Sequence, residues 1–90
     1  MITGIHISVR GVVQGVAFRY HTQLKAQELG VKGIVRNERD GSVTIRAASE
    51  KDRILEFLEW CHHGPPSADV KELAYEYIDA DSFLGFVIER

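Results

Sequence analysis

Ile5, Ile7 and Val9 alternate with His6, Ser8 and Arg10, the period of two that marks a half-buried strand. The rhythm then breaks. Residues 11–20, GVVQGVAFRY, carry Gly11 and Gly15 and predict a loop that runs into a helix. From Phe18 to Leu29 no Gly or Pro intervenes, Phe18, Thr22, Ala26 and Leu29 share one helical face, and Gly30 follows as a C-cap. Residues 31–37 predict a second strand, Asp40-Gly41 a hairpin turn, and Val43, Ile45 and Ala47 a third, alternating strand. Ser49 is the expected N-cap of a second helix, with Glu50 and Asp52 complementing its dipole. Ile54, Phe57, Leu58 and Cys61 form that helix's apolar stripe, and His62, His63 and Gly64 close it before Pro65-Pro66. Val70, Leu73, Tyr75 and Tyr77 predict a fourth strand of imperfect period. A turn over 79–82 and a short last strand over 84–89 follow.

The order is β-α-β-β-α-β plus a short C-terminal strand. It predicts an α+β, ferredoxin-like two-layer sandwich, one domain over residues 1–90, with two helices on one face of a mixed, mainly antiparallel sheet. A crossover helix makes the first two strands parallel, so Gly11 and Asn37 come to the same sheet edge. With the third strand between them, the gap is about 10 Å, which one long side chain and a small ligand can bridge. The first helix begins at that edge too.

Composition narrows the field. Formal net charge is −2, which argues against nucleic-acid partners. No apolar run reaches 18 residues, and the start, MITGIHISVR, lacks the features of a signal peptide, so a cytoplasmic protein off the membrane is expected. The single cysteine, Cys61, excludes an internal disulfide and a multi-cysteine metal site.

The chemistry concentrates in the loop. Arg19 in the first turn of a helix costs about a few tenths of a kcal/mol unless an anion sits between it and the helix dipole. Gly11 and Gly15 permit conformations that aim successive N–H groups into one concavity, and residues 11–27 contain no Asp or Glu to repel a negative ligand. These features describe a phosphate cradle with an arginine at its mouth. The plainer alternative is a tight loop with Arg19 in solvent. Asn37, taken alone, is a turn residue before NERDG.

The chain resembles the acylphosphatase family. The carrying residues are the run Gly11–Arg19 (GVVQGVAFR), then Ala26-Gln27-Glu28-Leu29-Gly30, then residues 33–43 (GIVRNERDGSV), with Gly64-Pro65-Pro66-Ser67-Ala68 and Phe86-Val87-Ile88 beyond. The resemblance covers essentially the whole chain and implies a small stand-alone enzyme, a monomer. It implies hydrolysis of carboxyl–phosphate anhydrides to a carboxylate and inorganic phosphate, without metal or other cofactor. Inorganic phosphate or sulfate would then be product or inhibitor. By the same resemblance Arg19 is similar to the arginine that binds the substrate phosphate. The backbone of Gln14, Gly15, Val16, Ala17 and Phe18 is similar to the amide cradle, and Asn37 to the asparagine that orients the attacking water. Ile34 stands where the family commonly has an aromatic residue, which is expected to loosen packing beside Asn37. Ala17 stands where glycine or a bulkier residue often occurs.

Other classes fare worse. An RNA-recognition module needs a basic aromatic motif on its third strand, which here reads SVTIRA. A metal carrier of this fold needs a second cysteine. Related domains inside carbamoyl-phosphate-using maturation proteins usually follow the arginine with proline, whereas Tyr20 stands here. His21, His62 and His63 are expected on helix surfaces, Cys61 as an inert core thiol, and Trp60, Tyr75 and Tyr77 in packing. Arg36 and Arg39 are expected in solvent.

Overall fold

The computed structural model describes residues 1–89. Its elements are β1 (Ile2–Val12), α1 (Phe18–Leu29), β2 (Lys32–Asn37), β3 (Val43–Glu50), α2 (Lys51–His63), β4 (Asp69–Ile78) and β5 (Phe86–Glu89). The sheet order is β4-β1-β3-β2-β5, with only the β2–β5 pair parallel. β3 therefore lies between β1 and β2, as the crossover argument requires.

Alternation sorts the sheet into two faces. Ile5, Ile7 and Val9 sit opposite Ala47, Ile45 and Val43, and all six are buried. Ile54, Phe57 and Cys61 of α2 and Phe18 and Ala26 of α1 cover them, each at most 1 % exposed. Each large apolar side chain so buried contributes roughly 1.5–3 kcal/mol. Burial raises the pKa of the Cys61 thiol, consistent with an inert core residue. No helix among the described residues is long and apolar enough to cross a membrane.

Four expectations change. β1 does not give way to the loop at Gly11 but continues to Val12, because Gly11 and Val12 still pair with β4. The imperfect period of β4 is a bulge: Arg10 pairs with Glu72 and Gly11 with Val70, leaving Lys71 as the extra residue. That resets the alternation, so Val70 and Leu73 both pack against the core. Ser49 does not cap α2. It remains in β3, where its Oγ donates to the carbonyl of Gly30, and Glu50 takes the N-cap position in extended conformation. Leu84 is fully exposed, and the last strand starts at Phe86.

Three smaller differences follow from position. Ile34 lies on the helix-free face, opposite in sense to Asn37, where it lines a groove with Phe83; it does not pack beside Asn37. Tyr75 and Tyr77 stand half-exposed on the edge strand, ring to ring at 5.9 Å, with Lys51 Nζ over Tyr77. Arg36 is exposed, as expected, and is in addition tied to two carboxylates described below.

Candidate active site

The loop between β1 and α1 is Val13–Ala17. Two of its three neighbouring valines turn inward: Val13 is buried and Val16 packs against the core, while Val12 stays exposed. Anchoring the loop by its apolar side chains leaves its backbone free to face outward. Gly15 holds φ 75°, a left-handed conformation that costs glycine nothing. Ala17 holds φ 60° as well, the one non-glycine residue to do so among those described, at a cost of about 1–2 kcal/mol. Strain of this kind persists where surroundings over-determine it.

Three side chains supply that determination. Gln14 Nε2 donates to the carbonyls of Glu38 (2.8 Å) and Ser42 (2.9 Å), fastening the loop to the β2–β3 turn. Ser67 Oγ donates to the Val16 carbonyl at 2.8 Å. Phe18, buried beneath the loop, packs against Trp60 with ring centroids 5.9 Å apart.

The start of α1 is left open. Ala17 offers no side-chain cap and the first turn has no acidic residue, so the first helical N–H groups lack a side-chain acceptor. Arg19 shares this turn. Its Nη1 donates to the carbonyl of Glu89 at 3.2 Å, which uses one of five N–H donors and holds the side chain against β5.

Asn37 ends β2 on the helix-facing side. Its Oδ1 is buried without a hydrogen-bond partner among the described residues. A buried acceptor left unpaired costs about 1–3 kcal/mol, so an external donor is called for; water fits. Gly15, Ala17, Phe18, Arg19 and Asn37 line one cavity of about 370 Å³. Gln14 and Val16 do not line it: the first reaches to the turn and the second to the core.

The turn behind Asn37 is heavily braced. Arg36 bonds Glu38 Oε2 through Nε (2.9 Å) and Glu89 Oε1 through Nη1 (3.2 Å). Glu38 also accepts from Thr44 Oγ1; that bond, then Arg36, pulls its carboxyl below the usual range. Glu89 thus meets Arg36 through its carboxylate and Arg19 through its carbonyl. The Arg36–Glu38 spacing of two on one strand face was visible in sequence; the Glu89 and Ser67 contacts, 53 and 51 residues away from their partners, were not. His21 faces Tyr20 edge-on at 5.4 Å and lies outside the cavity lining.

This arrangement offers donors for an oxyanion, one cation at the mouth and one acceptor for water. The acylphosphatase family model matches residues 5–88. Curated relatives include the acylphosphatase of Mannheimia succiniciproducens, 49 % identical over 91 % of this chain and 92 % of that one. That of Trichormus variabilis is 43 % identical over 96 % and 85 %. Among solved structures, an acylphosphatase from Coxiella burnetii superposes with a TM-score of 0.94 at 39 % identity, covering 98 % of this chain and 93 % of that one. Motif, fold and relatives agree over almost the whole length: the chain belongs to the acylphosphatase family.

Proposed function

We propose that this chain hydrolyses the carboxyl–phosphate bond of acyl phosphates, with the phosphate held by the backbone of residues 14–18 and by Arg19, and the attacking water oriented by Asn37. The water oxygen attacks phosphorus, the bond to the acyl oxygen breaks, and its electron pair leaves on the carboxylate. One water proton stays on the phosphate; the other passes to the substrate phosphate or to bulk water.

Little chemistry is asked of the protein. The leaving carboxylate has a conjugate acid of pKa about 4–5, judged from Asp and Glu side chains, so it needs no general acid. Phosphoryl transfer runs through a loose transition state with charge on three equatorial oxygens, which rewards positioned donors. Arg19 supplies a planar fork for two of those oxygens, and the open N–H groups supply fixed dipoles. Asn37 is no base; its amide oxygen accepts a hydrogen bond from water and holds it in line. The reaction so written uses no metal and no cofactor.

The observation that carries this reading is the orphaned Oδ1 of Asn37 in the same cavity as Arg19 and an uncapped helix start. A single acylphosphatase-like domain over residues 1–90, acting as a cytoplasmic monomer on small acyl phosphates and inhibited by inorganic phosphate or sulfate, completes the proposal. Relatives of similar length support the single-domain part.

The test is benzoyl phosphate hydrolysis in EDTA by the parent, Arg19→Ala and Asn37→Ala. Arg19→Ala should lose about 10²–10³ in kcat/KM and most phosphate inhibition. Asn37→Ala should lose kcat while phosphate inhibition persists, because water positioning acts only in the chemical step. Equal loss of phosphate affinity in Asn37→Ala would move that residue into the binding shell. An inactive parent would leave an anion-binding module.

A further inference from the structure

The cavity is larger than the phosphate end requires. At about 370 Å³ it falls in the range of small-ligand pockets, and the cradle residues with Arg19 make up half of its lining. The rest of the lining is Val13, Tyr20, Asn37 and Ile88. Val13 is buried and Ile88 half-buried, so they form floor rather than rim. Tyr20 is different: it is 54 % exposed and stands on the first turn of α1, next to Arg19 in sequence. Its ring is braced edge-on by His21 at 5.4 Å.

In-line displacement constrains what meets that ring. The attacking water and the leaving oxygen lie on opposite sides of phosphorus. With Asn37 holding the water, the acyl group leaves on the side away from Asn37, toward the solvent-facing rim. Among the described residues lining the cavity, Tyr20 is the only large hydrophobic one that is exposed. Arg19 is the only charged one, and the phosphate occupies it.

We propose that Tyr20 is a specificity-determining residue whose ring forms a platform for the acyl group. The preferred substrates are then acyl phosphates with an uncharged, planar or apolar acyl body. A second carboxylate or phosphate on the acyl side would find no further cation among the described lining residues and would meet an aromatic ring in its place. The inference rests on the phosphate-site assignment above and deepens it.

The experiment compares kcat/KM for benzoyl phosphate, acetyl phosphate and succinyl phosphate in the parent, Tyr20→Phe and Tyr20→Ala. In Tyr20→Ala the benzoyl-to-acetyl ratio should fall about three- to tenfold, through KM, the size of a lost aromatic contact. Tyr20→Phe should keep the parent ratio, because the ring and not the hydroxyl is at work. Succinyl phosphate should trail benzoyl phosphate in the parent. A Tyr20→Ala ratio equal to the parent's, or a parent preference for succinyl phosphate, overturns the platform while leaving the phosphate site intact. A parent that turns over none of the three overturns both readings. A merely structural effect of the substitution would lower all three together and leave the ratio unmoved.

Discussion

Two five-residue connections meet at one end of the sheet, and they solve the same backbone problem in opposite ways. The turn at residues 38–42 closes on itself. Glu38 N–H donates to the Ser42 carbonyl, Gly41 N–H to the Glu38 carbonyl, and Asp40 Oδ1 accepts from both the amide and the hydroxyl of Ser42. Its two carboxylates are matched as well, Asp40 by Arg10 and Glu38 by Arg36. The loop at residues 13–17 has no acidic residue, hides two valines, and ends in an uncapped helix start. Gln14 joins the two. A connection that only links strands satisfies its own donors; one that binds an anion holds them rigidly and leaves them unsatisfied. Rigidity comes from the neighbour.

Making the cradle resemble the turn should break the comparison most severely. Ala17→Asp puts a carboxylate at the N-cap, in a left-handed conformation that Asp tolerates better than most residues. Turnover should drop at least about a hundredfold and phosphate inhibition should vanish, since the helix start then carries its own anion. Thermal stability should hold or rise. A variant that stays active and phosphate-sensitive would disprove the open-donor reading.

Cutting the link between the connections should have an intermediate effect. Gln14→Leu removes two hydrogen bonds, although each carbonyl keeps its partner within the turn. The expected loss is roughly 1–2 kcal/mol by urea unfolding, with a weaker phosphate inhibition constant as the cradle loosens. Stability lost without any change in phosphate inhibition would show that the loop is rigid by itself.

The smallest effect belongs to the turn alone and appears in acid. The Asp40 carboxyl is held at about 2 against an ordinary 3.8, by the Ser42 hydroxyl first, then its amide, then Arg10. A folded-state value below the unfolded one means that the unfolded chain binds the proton more readily. The contribution is therefore complete above about pH 4 and disappears as pH falls toward 2. Asp40→Asn should flatten this part of the stability profile in urea titrations between pH 5 and 2. An unchanged slope would mean that the Ser42 bonds do not persist in solution.

Much of this was legible in the chain, for reasons that differ by element. The stripe Phe18, Thr22, Ala26, Leu29 and the alternation of β1 and β3 report burial directly, because each depends on one local period meeting one apolar layer. β4 misled in its spacing. Its bulge at Lys71 is set by pairing with β1 around Gly11, sixty residues away in the chain, and no local period encodes it. Ser49 misled in another way: an N-cap signature is a local preference, and here β3 pairing with Thr3 and the bond to Gly30 prevailed. Arg36 is exposed as read, but its second partner, Glu89, was not legible because it arrives only through the parallel β2–β5 pairing.

The chain by itself determined the residue types of the site: an acid-free loop with Gly15 at its turn, an arginine where a helix dipole disfavours it, and an asparagine at a strand end. It also determined the order of elements, and with it the meeting of Gly11 and Asn37 at one edge. Only the tertiary structure decided which donors stay open and which acceptor stays orphaned. Those depend on what every neighbour does with its own hydrogen bonds: Ser67 taking the Val16 carbonyl, Gln14 taking the turn, and nothing among the described residues reaching Asn37 Oδ1. Hydrogen-bond satisfaction is a property of the whole packed chain, and a binding site is the place where it is left incomplete.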